Sequence, residues 1–249
     1  MSVSLGEARA PDGLRIYAVG DVHGCLAQLR QMLAMIDADL QQRPVEDHRV
    51  IFVGDYSDRG PDSKGVVYAL MGLTARDKRV ICLRGNHDMF VHNFLRDPHE
   101  HGPMFYRNGG AATLRSYGSR ARDAFPEPVE LHQVHVFAEL LVNWHHLNFL
   151  GHLPTSVSFG DYFFCHAGVR PGVPLDEQSD DDLVWIRDDF LGHKGLYEKV
   201  IIHGHTSRSK IDVQPNRINL DTKCHASGTL SAVVLEGRDH RFLQTGGAD

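Results

Sequence analysis

The chain has 249 residues, 42% of them hydrophobic and 23% charged, with a formal net charge of -6. That length holds one well-buried domain, and the acidic balance excludes a nucleic-acid footprint or attraction to an anionic membrane surface. No apolar run approaches a membrane span, the first residues lack a secretory leader pattern and the cysteines form no CxxC pair, so a cytoplasmic protein is expected.

In chain order, Leu14-Arg-Ile-Tyr-Ala-Val19 reads as a strand ending in Gly20-Asp-Val-His-Gly24. A helix follows from Cys25 to about Leu40, because Leu26, Leu29, Leu33, Ile36 and Leu40 recur at helical spacing. The second strand, 49–53, runs into Gly54-Asp-Tyr-Ser-Asp-Arg-Gly60, then Pro61 and a helix from Asp62 to about Thr74. The third, 79–83, ends in Arg84-Gly-Asn-His-Asp88. Strands alternating with helices predict a mostly parallel α/β core. From Met89 to about Gly151 the texture becomes helical, around 89–95, 110–117 and 129–147, with Pro98, Pro103, Pro126 and Pro128 splitting the stretches. This predicts a helical insertion over one rim of the site. Beyond it, 153–159 and 162–166 pair across Gly160-Asp161 as a hairpin, ending in Cys165-His-Ala-Gly168. Ser179-Asp-Asp-Asp182 opens a helix over 183–191, and the strand 198–202 ends in His203-Gly-His-Thr206. Short strands at 217–220, 229–235 and 240–243 complete the chain. With no linker or repeat, residues 1–249 are expected to form a single domain, its insertion at about 89–150.

Five Gly-bearing loops each end a predicted strand, where open α/β sheets keep their ligands. Together they bring Asp21, His23, Asp55, Asn86, His166 and His205 to one edge. Imidazole, carboxylate and amide oxygen without thiolate suit borderline-to-hard divalent ions such as manganese, iron or zinc. Six donors exceed one tetrahedral site but suit two adjacent ions sharing a carboxylate, for which Asp55 is the central candidate.

The stretches GDVHG, GDYSDRG, RGNHD, HAG and HGHT, in that order between Gly20 and Thr206, resemble the PPP family of metal-dependent serine/threonine protein phosphatases. That family lies within the calcineurin-like metallophosphoesterase superfamily, and the resemblance is greatest to its small bacterial and bacteriophage members. The fold so implied is an α/β sandwich of two mixed β-sheets flanked by helices, with a helical insertion near the active site. The implied cofactors are two divalent ions, manganese first, with iron or zinc as alternatives. Asp21, His23 and Asp55 would hold one ion, and Asp55, Asn86, His166 and His205 the other. His203 would stand behind the ligands. By the same resemblance Arg59, Asn86 and Arg187 meet the phosphate, and His87 is the general acid, held by Asp58.

The implied reaction is hydrolysis of phosphate monoesters by a hydroxide bridging the two ions, on phosphoserine and phosphothreonine in proteins, with small phosphoesters also accepted. A symmetrical dinucleoside polyphosphate hydrolase and a broad phosphodiesterase are the enzymatic alternatives, and an inactive phosphoprotein-binding module is the non-enzymatic one. Asp58 beside Arg59 favours the protein phosphatase. Gly204-His-Thr-Ser207 lacks the second histidine of the GHxH loop found in many other metallophosphoesterases, and Ser57 replaces the family's usual valine without obvious chemical consequence. Several residues have plainer readings: Arg187 as an ion pair with Asp188 or Asp189, Arg84 as a carboxylate partner, and Asn108-Gly-Gly110, which with Ser116-Tyr-Gly118 resembles a cleft-lining stretch of bacterial relatives, as a turn.

Overall fold

The computed structural model describes residues 2–246. In chain order, β1 (Leu14–Val19), α1 (Leu26–Gln42), β2 (Asp47–Phe52), α2 (Ser63–Arg76) and β3 (Val80–Cys82) make a parallel β-α-β-α-β run. Helices α3 (Phe90–Arg96), α4 (Pro98–Arg107), α5 (Gly110–Ser116), α6 (Pro128–Leu141) and α7 (Trp144–Gly151) follow. Then come β4 (Ser156–Phe159), β5 (Tyr162–Cys165), α8 (Asp180–Trp185), α9 (Asp188–Gly192), β6 (Val200–His203), β7 (Asp212–Gln214) and β8 (Arg217–Asn219). A short α10 (Cys224–Ser227), β9 (Ser231–Glu236) and β10 (Asp239–Gln244) complete the described chain.

The strands form two mixed five-stranded sheets, ordered β10-β9-β1-β2-β3 and β4-β5-β6-β8-β7. Strand side chains alternate between faces, and here both faces of each sheet are covered. Ile16, Ala18, Ile51, Tyr162, Phe164, Ile202, Ile218 and Val233 fill the space between the sheets. The intervening residues Tyr17, Val19, Val50 and Phe52 pack with Leu29, Met32 and Val66 of α1 and α2. Phe163, Cys165 and Ile201 do the same with Leu183 and Phe190 of α8 and α9. The expected sandwich of two mixed sheets flanked by helices is therefore the observed fold. Its parallel strands β1, β2 and β3, and β5, β6 and β8, send their carboxyl ends to the loops that matter.

The differences from expectation have local causes. Pro103 does not split the helical stretch but lies inside α4, whose amino end is set by Pro98 in its first turn. The Asp97 carboxylate caps that end, accepting from the amides of His99 and Glu100 at 3.0 Å each. The stretch 129–147 is two helices, because the Asn143 side chain accepts from the His145 amide at 2.8 Å and starts α7 afresh. The helix expected over 183–191 is also two, broken at Ile186 and Arg187. Neither β7 nor α10 is foreshadowed in the sequence pattern, each spanning only three or four residues.

One buried polar network ties β1 to α1, β9 and β10. Arg15, only 3% exposed, donates to the Glu236 carboxylate at 2.8 and 3.1 Å and to the Arg43 carbonyl at 2.6 Å. The Tyr17 hydroxyl donates to Asp39 at 2.6 Å, and Arg241 pairs with the same carboxylate. Burial pushes the Asp39 carboxyl up, but the hydrogen bonds from Tyr17 and Arg241 outweigh it and hold it below the usual range. The stability it contributes is complete above the ordinary carboxylate pKa of about 4 and fades as pH falls through the lower folded value. Replacing Arg15 by alanine strands Glu236, the Arg43 carbonyl and part of the Asp39 charge. Because Glu236 is half-exposed, the expected cost is about 2–3 kcal/mol rather than more, read as a lower midpoint in urea unfolding.

Candidate metal centre

Five loops deliver the site. Asp21 and His23 follow β1; Asp55, Asp58 and Arg59 follow β2; Asn86, His87 and Asp88 follow β3; His166 follows β5; His205 follows β6. Every one of these except Arg59 is buried. Two groups of ligand atoms form, each mutually within 4.8 Å: His23 with Asp55 and His87, and Asp55 with His166 and His205. Asp55 belongs to both. Its Oδ2 lies 3.5 Å from His23 Nε2, and its Oδ1 lies 3.4 Å from His166 Nε2.

The hydrogen bonds say which ring nitrogens are free. His23 Nδ1 is 2.8 Å from the Ser57 carbonyl and His166 Nδ1 is 3.0 Å from the Val53 carbonyl. A carbonyl only accepts, so both rings carry their proton on Nδ1 and turn the Nε2 lone pair inward. His166 Nε2 then stands 2.9 Å from Asn86 Oδ1, which also receives His205 Nδ1 at 2.9 Å. Lone pairs of His166, Asn86 and Asp55 converge there, an arrangement that a cation relieves. On the His23 side, Asp21 accepts the His205 amide through Oδ2 at 2.9 Å, while Oδ1 is buried without a partner. A buried carboxylate oxygen with nothing to bond is the second observation that fits a cation.

Charge supports the same reading. Burial, followed by the nearby Asp221 and Asp55, pushes the Asp21 carboxyl well above its usual range. For Asp55 burial acts in the same upward direction, but His166, His87, His23 and His205 outweigh it and hold the carboxyl well below. Burial pushes His23, His166 and His205 below the ordinary imidazole value, with Asp55 opposing the shift in each. His87 goes the other way. Burial lowers it, yet Asp55 and the 2.8 Å hydrogen bond between its Nδ1 and Asp58 Oδ2 raise it further.

The loops are held in unusual backbone shapes. His23, Asp55, Asp58, Arg59 and His205 have positive φ values of 43°, 55°, 68°, 67° and 63°, and Lys223 is the one other non-glycine residue of that kind among the described residues. Such conformations cost of order 1–3 kcal/mol each and persist where surroundings over-determine them. At Asp55 the restraint comes from Asp88, whose carboxylate accepts the amides of Gly85, Tyr56 and Asp55 at 2.8, 2.8 and 3.0 Å. Gly85 itself must be glycine, since a Cβ would stand 2.2 Å from Asp55 Oδ1, and a Cβ on Gly204 would stand 1.8 Å from Asp21 Oδ1.

Thr113 acts here without having been singled out by the sequence pattern, and Ser57 and Gly109 act in ways it did not give. Thr113, on α5, donates to Asp58 Oδ1 at 2.6 Å and accepts the Asp58 amide at 2.9 Å, so the helices beyond β3 help aim His87. Ser57 does have a chemical consequence: its hydroxyl donates to the His87 carbonyl at 3.1 Å. The Gly109 carbonyl accepts the Arg59 amide at 3.2 Å, so Asn108-Gly-Gly110 does more than turn the chain.

Arg59 reaches into the centre, its two terminal nitrogens 3.1 Å from His23 Nε2 and 2.9 Å from His87 Nε2. Arg187 sits in the break between α8 and α9 and donates from Nε to His205 Nε2 at 2.9 Å; among the described residues it makes no ion pair with Asp188 or Asp189. Arg84 pairs with Asp180 at 3.0 Å. His203 packs its ring 4.9 Å from that of Phe190 and sets Nδ1 3.0 Å from the Gly204 carbonyl. The ring of His225 meets that of His23 edge-on at 5.3 Å.

Comparison with known proteins gives the same architecture and a phosphoesterase family. The family model of calcineurin-like phosphoesterases matches residues 14–221. Among curated proteins, the chain is 24% identical over 230 residues to the bis(5'-nucleosyl)-tetraphosphatase PrpE [asymmetrical] of Oceanobacillus iheyensis, covering 88% of each chain. It is 41% identical over 78 residues to the symmetrical bis(5'-nucleosyl)-tetraphosphatase of Methylococcus capsulatus, a match spanning 31% of this chain and 25% of that one. Among solved structures, one provisionally assigned as a diadenosine tetraphosphatase superposes with a TM-score of 0.64 at 21% identity, over 97% of this chain and 100% of that one. Among the described residues, no helix is long and apolar enough to cross a membrane.

Proposed function

We propose that this chain, which belongs to the calcineurin-like phosphoesterase family and is a metal-dependent phosphoesterase, hydrolyses dinucleoside tetraphosphates. The observation that carries the chemistry is Asp55, shared by two buried His/Asp groups beside a histidine held by its own carboxylate. The substrate is supported by the tetraphosphatase names of the curated relatives, and it reverses the order implied by the resemblance to protein phosphatases. The Asp58–Arg59 pair is a device for meeting phosphate and protonating an oxygen; it does not say what that oxygen belongs to.

In this reading Asp21, His23 and Asp55 hold one divalent ion, and Asp55, Asn86, His166 and His205 hold the second. Ions bound there supply an acidified water and neutralise phosphate charge. The chain's own side chains do the rest. Arg59 and Arg187, which in this structure rest on His87 and His205, turn forked guanidinium groups to phosphate oxygens. His87 hands a proton from Nε2 to the departing phosphate oxygen, with Nδ1 held by Asp58 and Asp58 held by Thr113. The relative matched over most of the chain is of the asymmetrical type, which supports cleavage into a nucleoside monophosphate and a nucleoside triphosphate.

The test is product analysis. Metal-loaded protein given diadenosine tetraphosphate is expected to release AMP and ATP, with kcat/KM at least about ten-fold above that for a phosphoserine peptide. A preference for the peptide would return the substrate to phosphoproteins. Two equivalents of ADP would keep the reaction and change the bond cleaved.

A further inference from the structure

Trp185 has no part in the chemistry above, yet it stands beside it. It ends α8 and is 39% exposed. Its ring lies 5.8 Å from Phe90 and 6.3 Å from His205, and Phe90 in turn lies 4.8 Å from His87. A run of ring-to-ring contacts therefore leads from the proton-donating histidine, past a buried phenylalanine, to an indole that opens onto solvent. That opening is a shallow groove of about 340 Å³, which Trp185 lines together with Ile186, Arg187, Arg170 and four aspartates, two of which pair with Arg170. Arg187 follows Trp185 by two residues and touches His205, so one short segment offers an aromatic surface and a cation side by side.

We propose that Trp185 is the platform on which a nucleobase of the substrate stacks. The inference rests on the dinucleoside reading, and deepens it by naming the part of the substrate that the rim recognises. An indole gives a base a broad apolar and π surface, and such stacking tolerates any base because every base has such a face. The placement suits asymmetrical cleavage. In a nucleoside monophosphate the base is only one ribose away from its phosphate, and Trp185 lies 6.3 Å, ring centre to ring centre, from His205. A phosphoserine side chain carries no ring at that position.

The chain has two tryptophans, so fluorescence reads the site directly. Trp144, on α7, is 64% exposed and outside the centre, and Trp144→Phe leaves Trp185 as the sole indole. In metal-loaded Trp144→Phe protein, AMP is expected to quench the emission saturably, and ribose 5-phosphate to leave it nearly unaltered. In an otherwise intact chain, Trp185→Ala is expected to raise KM for diadenosine tetraphosphate roughly ten-fold or more while lowering kcat much less, and Trp185→Phe to recover most of the loss. Equal quenching by ribose 5-phosphate, quenching by a phosphopeptide alone, or an unaltered KM in Trp185→Ala would overturn the platform. Quenching by AMP needs no hydrolysis. If AMP binds in this way but diadenosine tetraphosphate is not cleaved, the platform stands and the proposed reaction fails; if cleavage occurs without quenching, the reverse holds.

Discussion

Replacing Asp55 by asparagine is expected to abolish turnover, by more than about a thousand-fold, and to leave fewer than two ions per chain by elemental analysis. One carboxylate faces two groups of imidazoles, and asparagine keeps its shape while removing its charge. The loss would not reflect misfolding. Asparagine tolerates the left-handed backbone that residue 55 adopts, and its amide oxygen can still accept the His87 amide now bonded to Asp55 Oδ1 at 3.0 Å. Circular dichroism should therefore change little in ion-free protein. Two tightly bound ions in Asp55→Asn would remove the bridging role.

His87→Asn is expected to lower kcat by roughly 10²–10⁴-fold, the range a positioned general acid contributes, while ion content stays near two. The fall should shrink for esters whose leaving group is already a weak base, because a departing oxygen that needs no proton does not need His87. The geometry makes this a sharp test, since His87 takes the place in the His23–Asp55 group that the sequence reading assigns to Asp21. Its Nε2 is 3.9 Å from Asp55 Oδ2, and its Nδ1 is committed to Asp58 at 2.8 Å. Loss of an ion in His87→Asn would make His87 a ligand and leave the proton donor to be found elsewhere.

The centre was legible because its chemistry is local in sequence. Each donor lies within a few residues of an apolar strand end, and the glycines beside Asp55, Asn86 and His205 are required where backbone meets ligand. What holds those donors was not legible. Thr113 bonds a partner 55 residues earlier, and nothing in the residues around it announces that contact. Asp88 is visible as the end of a motif, but its three backbone partners appear only once β2 and β3 are side by side. Pro103 lies inside α4 rather than at its end, because a helix whose Phe105 and Tyr106 are buried against Phe94 tolerates a proline that an isolated segment would not. The substrate was the least legible of all. Under the proposed reading the loops after the strands would meet ions and phosphate and encode nothing of what the phosphate is attached to; that information would lie on rim residues such as Trp185, where the break after α8 exposes an indole that periodicity would assign to a continuous helix.

The left-handed turns at His23, Asp55, Asp58, Arg59 and His205 bear on how such a protein can diversify. Few amino acids accept that mirror-image coil, so drift on the floor of the cradle is confined to a narrow alphabet whatever ester is on offer. New selectivity is then more readily acquired at the mouth, where a half-exposed side chain such as Trp185 can be exchanged without unwinding those turns. A lineage built on this scaffold would hold its reactive heart constant while its tastes wandered.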